Sequence, residues 1–161
     1  MADFSYLPMA VLQELSVSEI VAQNDLTCRY GLTLTHAEAT ELVQTRNKAL
    51  ADNGRVEFGG GIVEKMIAAF CDSPYLSQRD YAPALHELVE LFYYFKNETL
   101  DEVSDDELID SMKDAFDHTC FGSLELLADR ELEALARAIR FGGTQEPEEP
   151  EETFEEEEDW N

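Results

Sequence analysis

Pro83-Ala-Leu-His-Glu-Leu-Val-Glu-Leu-Phe-Tyr-Tyr-Phe-Lys-Asn97 has the spacing of a helix that is apolar on most of its sides. Leu91 and Tyr94 widen its apolar face, so we expect this helix to lie in the middle of the core. Pro83 suits the first turn, where a missing N–H costs little. Consecutive aromatic residues on a helix cannot all face one core, and we expect at least Tyr93 to reach the surface. The main face consists of Leu85, Leu88, Val89, Phe92 and Phe95.

Four more helices are predicted on either side of this segment by apolar residues at helical spacing. A further helix is predicted from about Val17 to Cys28, preceded by a short one near Met9 to Leu15. Together these patterns predict an all-α protein, a single compact bundle of about six helices over roughly residues 8–141. Arg46 interrupts one face, where we expect its charged end to snorkel to solvent. The four faces are Ala39, Leu42, Val43, Arg46 and Leu50; Ile62, Val63, Met66, Ile67 and Phe70; Leu108, Ile109, Met112 and Phe116; and Leu132, Leu135, Ala136 and Ile139.

Helix start and stop signals support these boundaries. Ser77 with Asp80 is a weaker start signal, and Asp129 is suited to cap the last helix. Gly31 and Gly54 follow periodic segments and suit a left-handed residue just after a helix. Residues 55–58 hint at a strand, but one short strand cannot form a sheet. Three capping boxes, each with a glutamate three residues later, begin at Ser16, Thr35 and Ser104.

The composition divides the chain into a helical domain, residues 1–143, and an acidic tail, residues 144–161. The tail contains ten acidic residues, no basic residue and no apolar residues at helical or strand spacing. It cannot bury enough surface to offset the entropy of ordering it, so we expect it to be disordered. Its two aromatic residues, Phe154 and Trp160, resemble a short linear motif that could dock on a basic, grooved partner. The alternative is a tail that only aids solubility.

The net charge of −25 limits the classes of partner. Such a surface repels nucleic acid phosphates and anionic membranes and suits cations or a basic protein. The alternative is that the charge only keeps the protein soluble. No apolar run approaches the roughly 18–20 residues that span a bilayer, and residues 1–10 lack the basic region of a signal peptide. We therefore expect a cytoplasmic protein; the oligomeric state is left open.

The segment His86-Glu87-Leu88-Val89-Glu90 superficially resembles the helix of zinc proteases, which carries two histidines four residues apart. Here Glu90 stands in the place of the second histidine. His86 and Glu90 would still share a helix face and could bind one metal ion. A metal site also needs a third protein ligand, and none can be identified. The alternative is a solvent-facing stripe made of His86, Glu90, Tyr93 and Asn97.

Residues 117–128 fit the framework of a calcium loop, with Asp117 first and Gly122 sixth. The ligand positions are poor, since Thr119 and Phe121 are third and fifth. Ala128 occupies the position that needs a bidentate glutamate. We expect a plain helix–loop–helix turn that uses Gly122, although the loop sequence leaves metal binding open.

Two further motifs are weak candidates for a binding or catalytic site. Gly59-Gly60-Gly61 precedes a helix but lacks the lysine of a phosphate loop, with Arg55 as the only nearby cation, so a tight turn is the better interpretation. His118 and Cys120, two residues apart, could form half a zinc site. No second pair of residues has the spacing of zinc ligands. Acidic surroundings disfavour a reactive thiolate. The odd, sparse cysteine count predicts free thiols buried as small hydrophobes, at Cys28, Cys71 and Cys120.

Four strings resemble a family of small uncharacterised bacterial proteins of unknown function. The resemblance covers about Val17 to Arg140 and leaves out the acidic tail. It implies a bacterial, cytoplasmic protein and brings no activity, cofactor or catalytic residue. The strings are Gly54-Arg-Val-Glu-Phe-Gly-Gly-Gly61, Phe70-Cys-Asp-Ser-Pro-Tyr75, Phe92-Tyr-Tyr-Phe-Lys-Asn-Glu98 and Ser104-Asp-Asp-Glu-Leu-Ile109.

No pattern in the chain supplies a nucleophile, a base and an orienting group together, so no catalytic, cofactor or metal residue is assigned. The leading hypothesis is a non-enzymatic acidic adaptor that binds a basic protein partner through its acidic surface or its tail. One version is mimicry of nucleic acid in a partner's basic groove. The alternative is a small helical-bundle enzyme or metal-binding protein that uses His86, Glu87 and Glu90.

Overall fold

The computed structural model describes residues 9–55 and 61–141. A 3-10 turn (Cys28–Tyr30) follows the second helix, and a π-helical segment (Leu127–Leu132) joins the last two helices. Six helices have at least 8 residues, and no strand occurs within the described ranges. The predicted all-α bundle of about six helices is confirmed. In chain order the helices are α1 (Met9–Ala22), α2 (Asn24–Thr27), α3 (His36–Asp52), α4 (Gly61–Phe70), α5 (Gln78–Glu98), α6 (Asp105–His118), α7 (Leu124–Leu126) and α8 (Glu133–Arg140).

The helix α5 is the centre of the bundle, as its apolar sequence predicts. It contacts α3, α4, α6, α7 and α8, and α1 packs on the outside of α3. Every residue of its predicted main face is buried, including Phe92, which is 1% exposed, whereas Leu91 is half-buried and Tyr94 is exposed. The faces predicted for α3, α4 and α6 are buried in full. On α8, by contrast, Leu135 and Ile139 are only half-buried because this helix lies at the edge.

The prediction that Tyr93 reaches the surface is wrong. Tyr93 is 2% exposed and its ring packs perpendicular to that of Phe92, whereas Tyr94 is 52% exposed. The open side of α5 follows Glu87, Glu90 and Tyr94, because neighbouring helices cover α5 on its other sides. His86, which the sequence placed on a solvent-facing stripe, is half-buried.

The predicted position of Pro83 in the first turn of α5 is also wrong. The helix begins at Gln78 after Ser77, whose hydroxyl lies 3.2 Å from an Asp80 carboxylate oxygen, so Pro83 lies inside it. A proline here removes the N–H that would bond the carbonyl of Arg79. Both residues are exposed, so water can take the place of the missing donor.

The predicted boundary between two N-terminal helices does not exist. The helix α1 is continuous, and Ser16 lies inside it with its hydroxyl donating to the Leu12 carbonyl at 3.1 Å. Arg46 of α3 does not snorkel either. It is 3% exposed, and its guanidinium donates to Asn47 Oδ1 at 3.0 Å and to Ser16 Oγ at 3.4 Å. Ser16 therefore meets a neighbouring helix instead of capping its own.

The other two capping boxes are confirmed. Thr35 and Ser104 each accept a hydrogen bond from the backbone of the glutamate three residues on, and each glutamate side chain accepts from the capping residue's N–H. The cap predicted at Asp129 is wrong, because Asp129 lies within the π-helical segment. Ser123 caps this helical region earlier, by accepting from the Leu126 N–H at 3.1 Å.

Loss of the Ser104 cap should measurably destabilise the fold. We expect Ser104→Ala to lower the free energy of unfolding by about 1 kcal/mol, since it leaves a backbone donor of α6 without its partner. Ser111→Ala is the matched control, because Ser111 is exposed inside the same helix, where alanine is the better helix former. Urea unfolding followed by circular dichroism compares the two. Equal midpoints would contradict a stabilising role for the cap.

Some predictions lie outside the described residues. These are the greater part of the hint of a strand at 55–58, the first two glycines of the triplet at 59–61 and the acidic tail, 144–161. Of the helices within the described ranges, none combines the length and the apolar character needed to cross a bilayer.

Candidate functional site

The residues of the metal hypothesis do not converge. His86 is half-buried, and its Nδ1 lies 2.6 Å from the Thr45 hydroxyl of α3. Glu87 and Glu90 are both exposed. Across residues 9–55 and 61–141, no three His, Cys, Asp or Glu side chains lie close enough together to hold a metal ion. The described structure therefore supplies no third ligand for the pair His86 and Glu90.

Asp117, the first position of the calcium-loop pattern, has structural partners. Its carboxylate accepts from the Ser73 hydroxyl at 2.6 Å and lies 3.1 Å from the Lys113 amine, which also pairs with Asp72 at 2.7 Å. Burial works against the charged amine, but hydrogen bonds to the two aspartates outweigh it and raise the pKa of Lys113. Asp117 thus ties α6 to the turn after α4. Gly122 lies in the predicted turn between helices, where its backbone is left-handed with φ +85°.

Two of the three cysteines are buried as predicted, and the third is not. Burial raises the pKa of Cys71 and of Cys120, which disfavours the nucleophilic thiolate. Cys28 is exposed, contrary to the prediction, because it lies in the 3-10 turn at the surface. His118 is exposed while Cys120 is buried, so the two side chains are not presented together.

Arg55, the cation that the sequence analysis placed near the glycine triplet, has partners on other elements. Its guanidinium donates to Asn97 Oδ1 at 2.6 and 3.1 Å and to an Asp101 carboxylate at 2.7 Å. Asn97 also donates to the side chain of Asn53 at the end of α3. This polar network fastens the C-terminal ends of α3 and α5 to one another.

Basic side chains over much of the surface already have carboxylate partners. On the outer face of α6, Asp106 pairs with Lys65, whereas Asp110 and Asp114 make no ion pair with any described residue. These three aspartates, which we call the α6 acidic row, lie four residues apart and hence on one face. Other ion pairs join Lys48 to Asp52, Arg55 to Asp101, Lys96 to Asp105, Arg130 to Glu131 and Arg140 to Glu98.

The exposed aromatic residue Tyr94 lies between two surface hollows. A hollow of about 330 Å³ between α3 and α5 is bordered by Lys48, Asp52, Asn53, Glu90 and Tyr94. Lys48 pairs with Asp52 at 2.8 Å, and a hydrogen bond to this carboxylate raises the pKa of Lys48. The amine therefore remains charged but is already neutralised by its neighbour.

A second hollow, of about 380 Å³, lies on the other side of Tyr94, between α5 and the helical segments after α6. Leu91, Tyr94 and Phe95 form its α5 side, and Asp129 and Glu133 lie opposite. Glu133 lies 3.9 Å from Arg137 and 3.7 Å from Arg140, whereas Asp129 makes no ion pair within the described ranges. We call the two hollows together the Tyr94 groove.

The Tyr94 groove combines an exposed aromatic ring with an excess of negative charge. Four carboxylates, those of Asp52, Glu90, Asp129 and Glu133, line it against the single amine of Lys48. Arg137 and Arg140 lie outside this lining, 3.9 and 3.7 Å from Glu133, and offset part of the excess. The sequence analysis assigned Tyr94 to the core and considered Glu90 either as a metal ligand or as part of a solvent-facing stripe. The signal that could have found the groove is the spacing of Glu87, Glu90 and Tyr94 on one face of α5.

Comparison with known proteins places the chain in a family. No curated protein and no solved structure matches it. A family model described as a family of unknown function matches residues 19–145, which is most of the chain and close to the region of the resemblance seen in the sequence. The chain therefore belongs to this family of unknown function, DUF6323.

Proposed function

We propose that this protein is a non-enzymatic adaptor that binds a basic segment of a protein partner in the Tyr94 groove. The observation that carries the proposal is the set of four carboxylates and one amine around a half-exposed tyrosine. Tyrosine supplies a rigid apolar contact with a polar end, which is why it is frequent in protein interfaces. The surrounding carboxylates attract lysine and arginine and repel acidic competitors.

The charge of the whole chain supports the same partner class. A net charge of −25 steers a basic protein toward the surface over the screening length of about 8–10 Å at physiological ionic strength. The same field opposes nucleic acid and anionic membranes. The enzyme or metal alternative has less support, because His86, Glu87 and Glu90 find no third ligand among the described residues.

The acidic tail offers a second route to the same class of partner. Phe154 and Trp160 lie outside the described residues, so their docking on a basic partner stays a prediction. We further propose that the protein acts in the bacterial cytoplasm, as the resemblance seen in the sequence implies. A test of the adaptor proposal must therefore separate the groove from the tail and from general acidity.

The test is a pull-down from lysate of the native host with four forms of the protein at low and high salt, with retained proteins identified by mass spectrometry. The forms are the full chain, Glu90→Gln/Asp129→Asn in the groove, Asp110→Asn/Asp114→Asn in the α6 acidic row, and a chain that ends at Gly143. All four substituted side chains are exposed and both variants remove two charges. The two variants therefore differ only in where on the surface the charges are removed.

We expect the full chain to retain a basic protein in a salt-sensitive manner. The groove variant should weaken this binding about tenfold and the α6 variant much less, because two lost charge contacts of up to about 1 kcal/mol act only where the partner sits. If both variants lose binding of the partner to the same extent, the partner does not bind in the Tyr94 groove and the attraction is diffuse. Loss only on truncation would assign binding to the tail, and retention of no basic protein by any form would contradict the adaptor proposal.

A further inference from the structure

We infer that the Tyr94 groove recognises arginine in preference to lysine on its partner. This inference rests on the proposed function, since it names the side chain that a basic partner places beside Tyr94. It follows from three features of the groove, namely the ring of Tyr94, the contact that fixes this ring and the carboxylates beside it.

The ring of Tyr94 is held in place and open to solvent at the same time. Its centroid lies 4.9 Å from that of Phe95, with the two planes at 88°. Phe95 is 2% exposed and therefore fixed in the core, whereas Tyr94 is 52% exposed. A fixed, accessible aromatic face suits a planar guanidinium, which stacks on it and is weakly hydrated, better than the compact, strongly hydrated ammonium of lysine.

Carboxylates lie where a stacked guanidinium could also donate hydrogen bonds. Glu90 is one turn before Tyr94 on the same face of α5, and Asp129 borders the hollow from the opposite side. A guanidinium has five N–H donors in a planar fork and can stack while it donates at its edges. An ammonium group meets the carboxylates as a point charge and gains less from the ring.

Guanidinium groups of this chain lie beside the groove, on the outer side of its rim. Glu133, on the rim that Asp129 shares, lies within 4 Å of both Arg137 and Arg140. Arg140 also lies 5.6 Å from the ring centroid of Phe141, a cation–π contact at the end of α8. Asp129 and Glu90 are the carboxylates that remain for an arginine of the partner.

The experiment titrates the full-length protein with two end-blocked peptides, one of five arginines and one of five lysines. Isothermal calorimetry in 0.15 M salt measures both affinities, because screening at this salt reduces diffuse attraction. We expect the arginine peptide to bind about two- to fivefold more tightly, the range of a solvent-exposed cation–π contact. The variant Tyr94→Leu should bind the two peptides with equal affinity, and Tyr94→Phe should keep the preference for the arginine peptide. Tyr30→Leu is the matched control, since Tyr30 is 46% exposed and lies outside the groove.

The outcomes separate this inference from the proposed function. Equal binding of the two peptides by the unmodified protein overturns the arginine preference and leaves basic-partner binding intact. A preference that survives Tyr94→Leu, or that Tyr30→Leu abolishes equally, overturns the role of Tyr94. Failure of both peptides to bind overturns the inference and the proposed function together.

Discussion

Replacement of Phe92 by alanine will lower the free energy of unfolding by about 3–5 kcal/mol, the usual loss for a fully buried phenylalanine. The side chain is 1% exposed and lies on α5, the helix that α3, α4, α6, α7 and α8 all contact. Its removal leaves a cavity at the centre of the bundle, where neighbours on all sides restrict collapse. Urea unfolding followed by circular dichroism measures the loss.

The matched control is Tyr94→Ala, two residues further along the same helix. Tyr94 is 52% exposed and its ring meets that of Phe95 at 4.9 Å, so we expect its loss to cost less than about 1 kcal/mol. A loss below about 1 kcal/mol for Phe92→Ala would show that α5 is not central. Similar large losses for both variants would show that the Tyr94 groove is part of the core and not an accessible surface.

The features of the fold that sequence predicted are those with local causes. The buried faces of α3, α4 and α6 follow from helical spacing alone, because a single stripe of apolar residues admits one orientation. The caps at Thr35 and Ser104 involve residues only three positions apart. Such contacts need only that a helix begins at the capping residue.

The features that sequence missed depend on neighbours distant in the chain. Ser16 has the pattern of a cap, but it lies inside α1 and meets Arg46 of α3. Four consecutive aromatic residues on α5 require that one be exposed, and the surrounding helices determine that it is Tyr94 and not Tyr93. The spacing of α5 alone could not distinguish these two, because its apolar residues cover most of its sides.

The candidate site was even less accessible to sequence reasoning. The Tyr94 groove takes residues from α3, α5 and the segment around Asp129, each separated from the next by more than 30 positions. Each carboxylate alone is an ordinary surface acid in a chain with 36 acidic residues. The packing of three helical regions creates their excess around one aromatic ring.

The turn after α6 depends on a glycine for two separate reasons. Gly122 has φ +85°, in the left-handed region that other residues adopt only at a cost. A Cβ at this position would also lie 2.6 Å from Tyr75 Cβ and 2.8 Å from Tyr75 Cγ. These atoms are next to the Tyr75 backbone, and its ring packs perpendicular to the buried Phe116, so they cannot move aside easily.

We therefore expect Gly122→Ala to lower the free energy of unfolding by about 2–4 kcal/mol, since backbone strain and steric overlap add. Gly31→Ala separates the two terms, because Gly31 has φ +79° but no atom within 4 Å of the added Cβ. It should cost only about 1–2 kcal/mol, the backbone term alone. Urea midpoints of the two variants give the difference. If both lose the same stability, Tyr75 does not pack on the turn, and the close approach of the segment after α4 to the end of α6 is not a feature of the fold in solution.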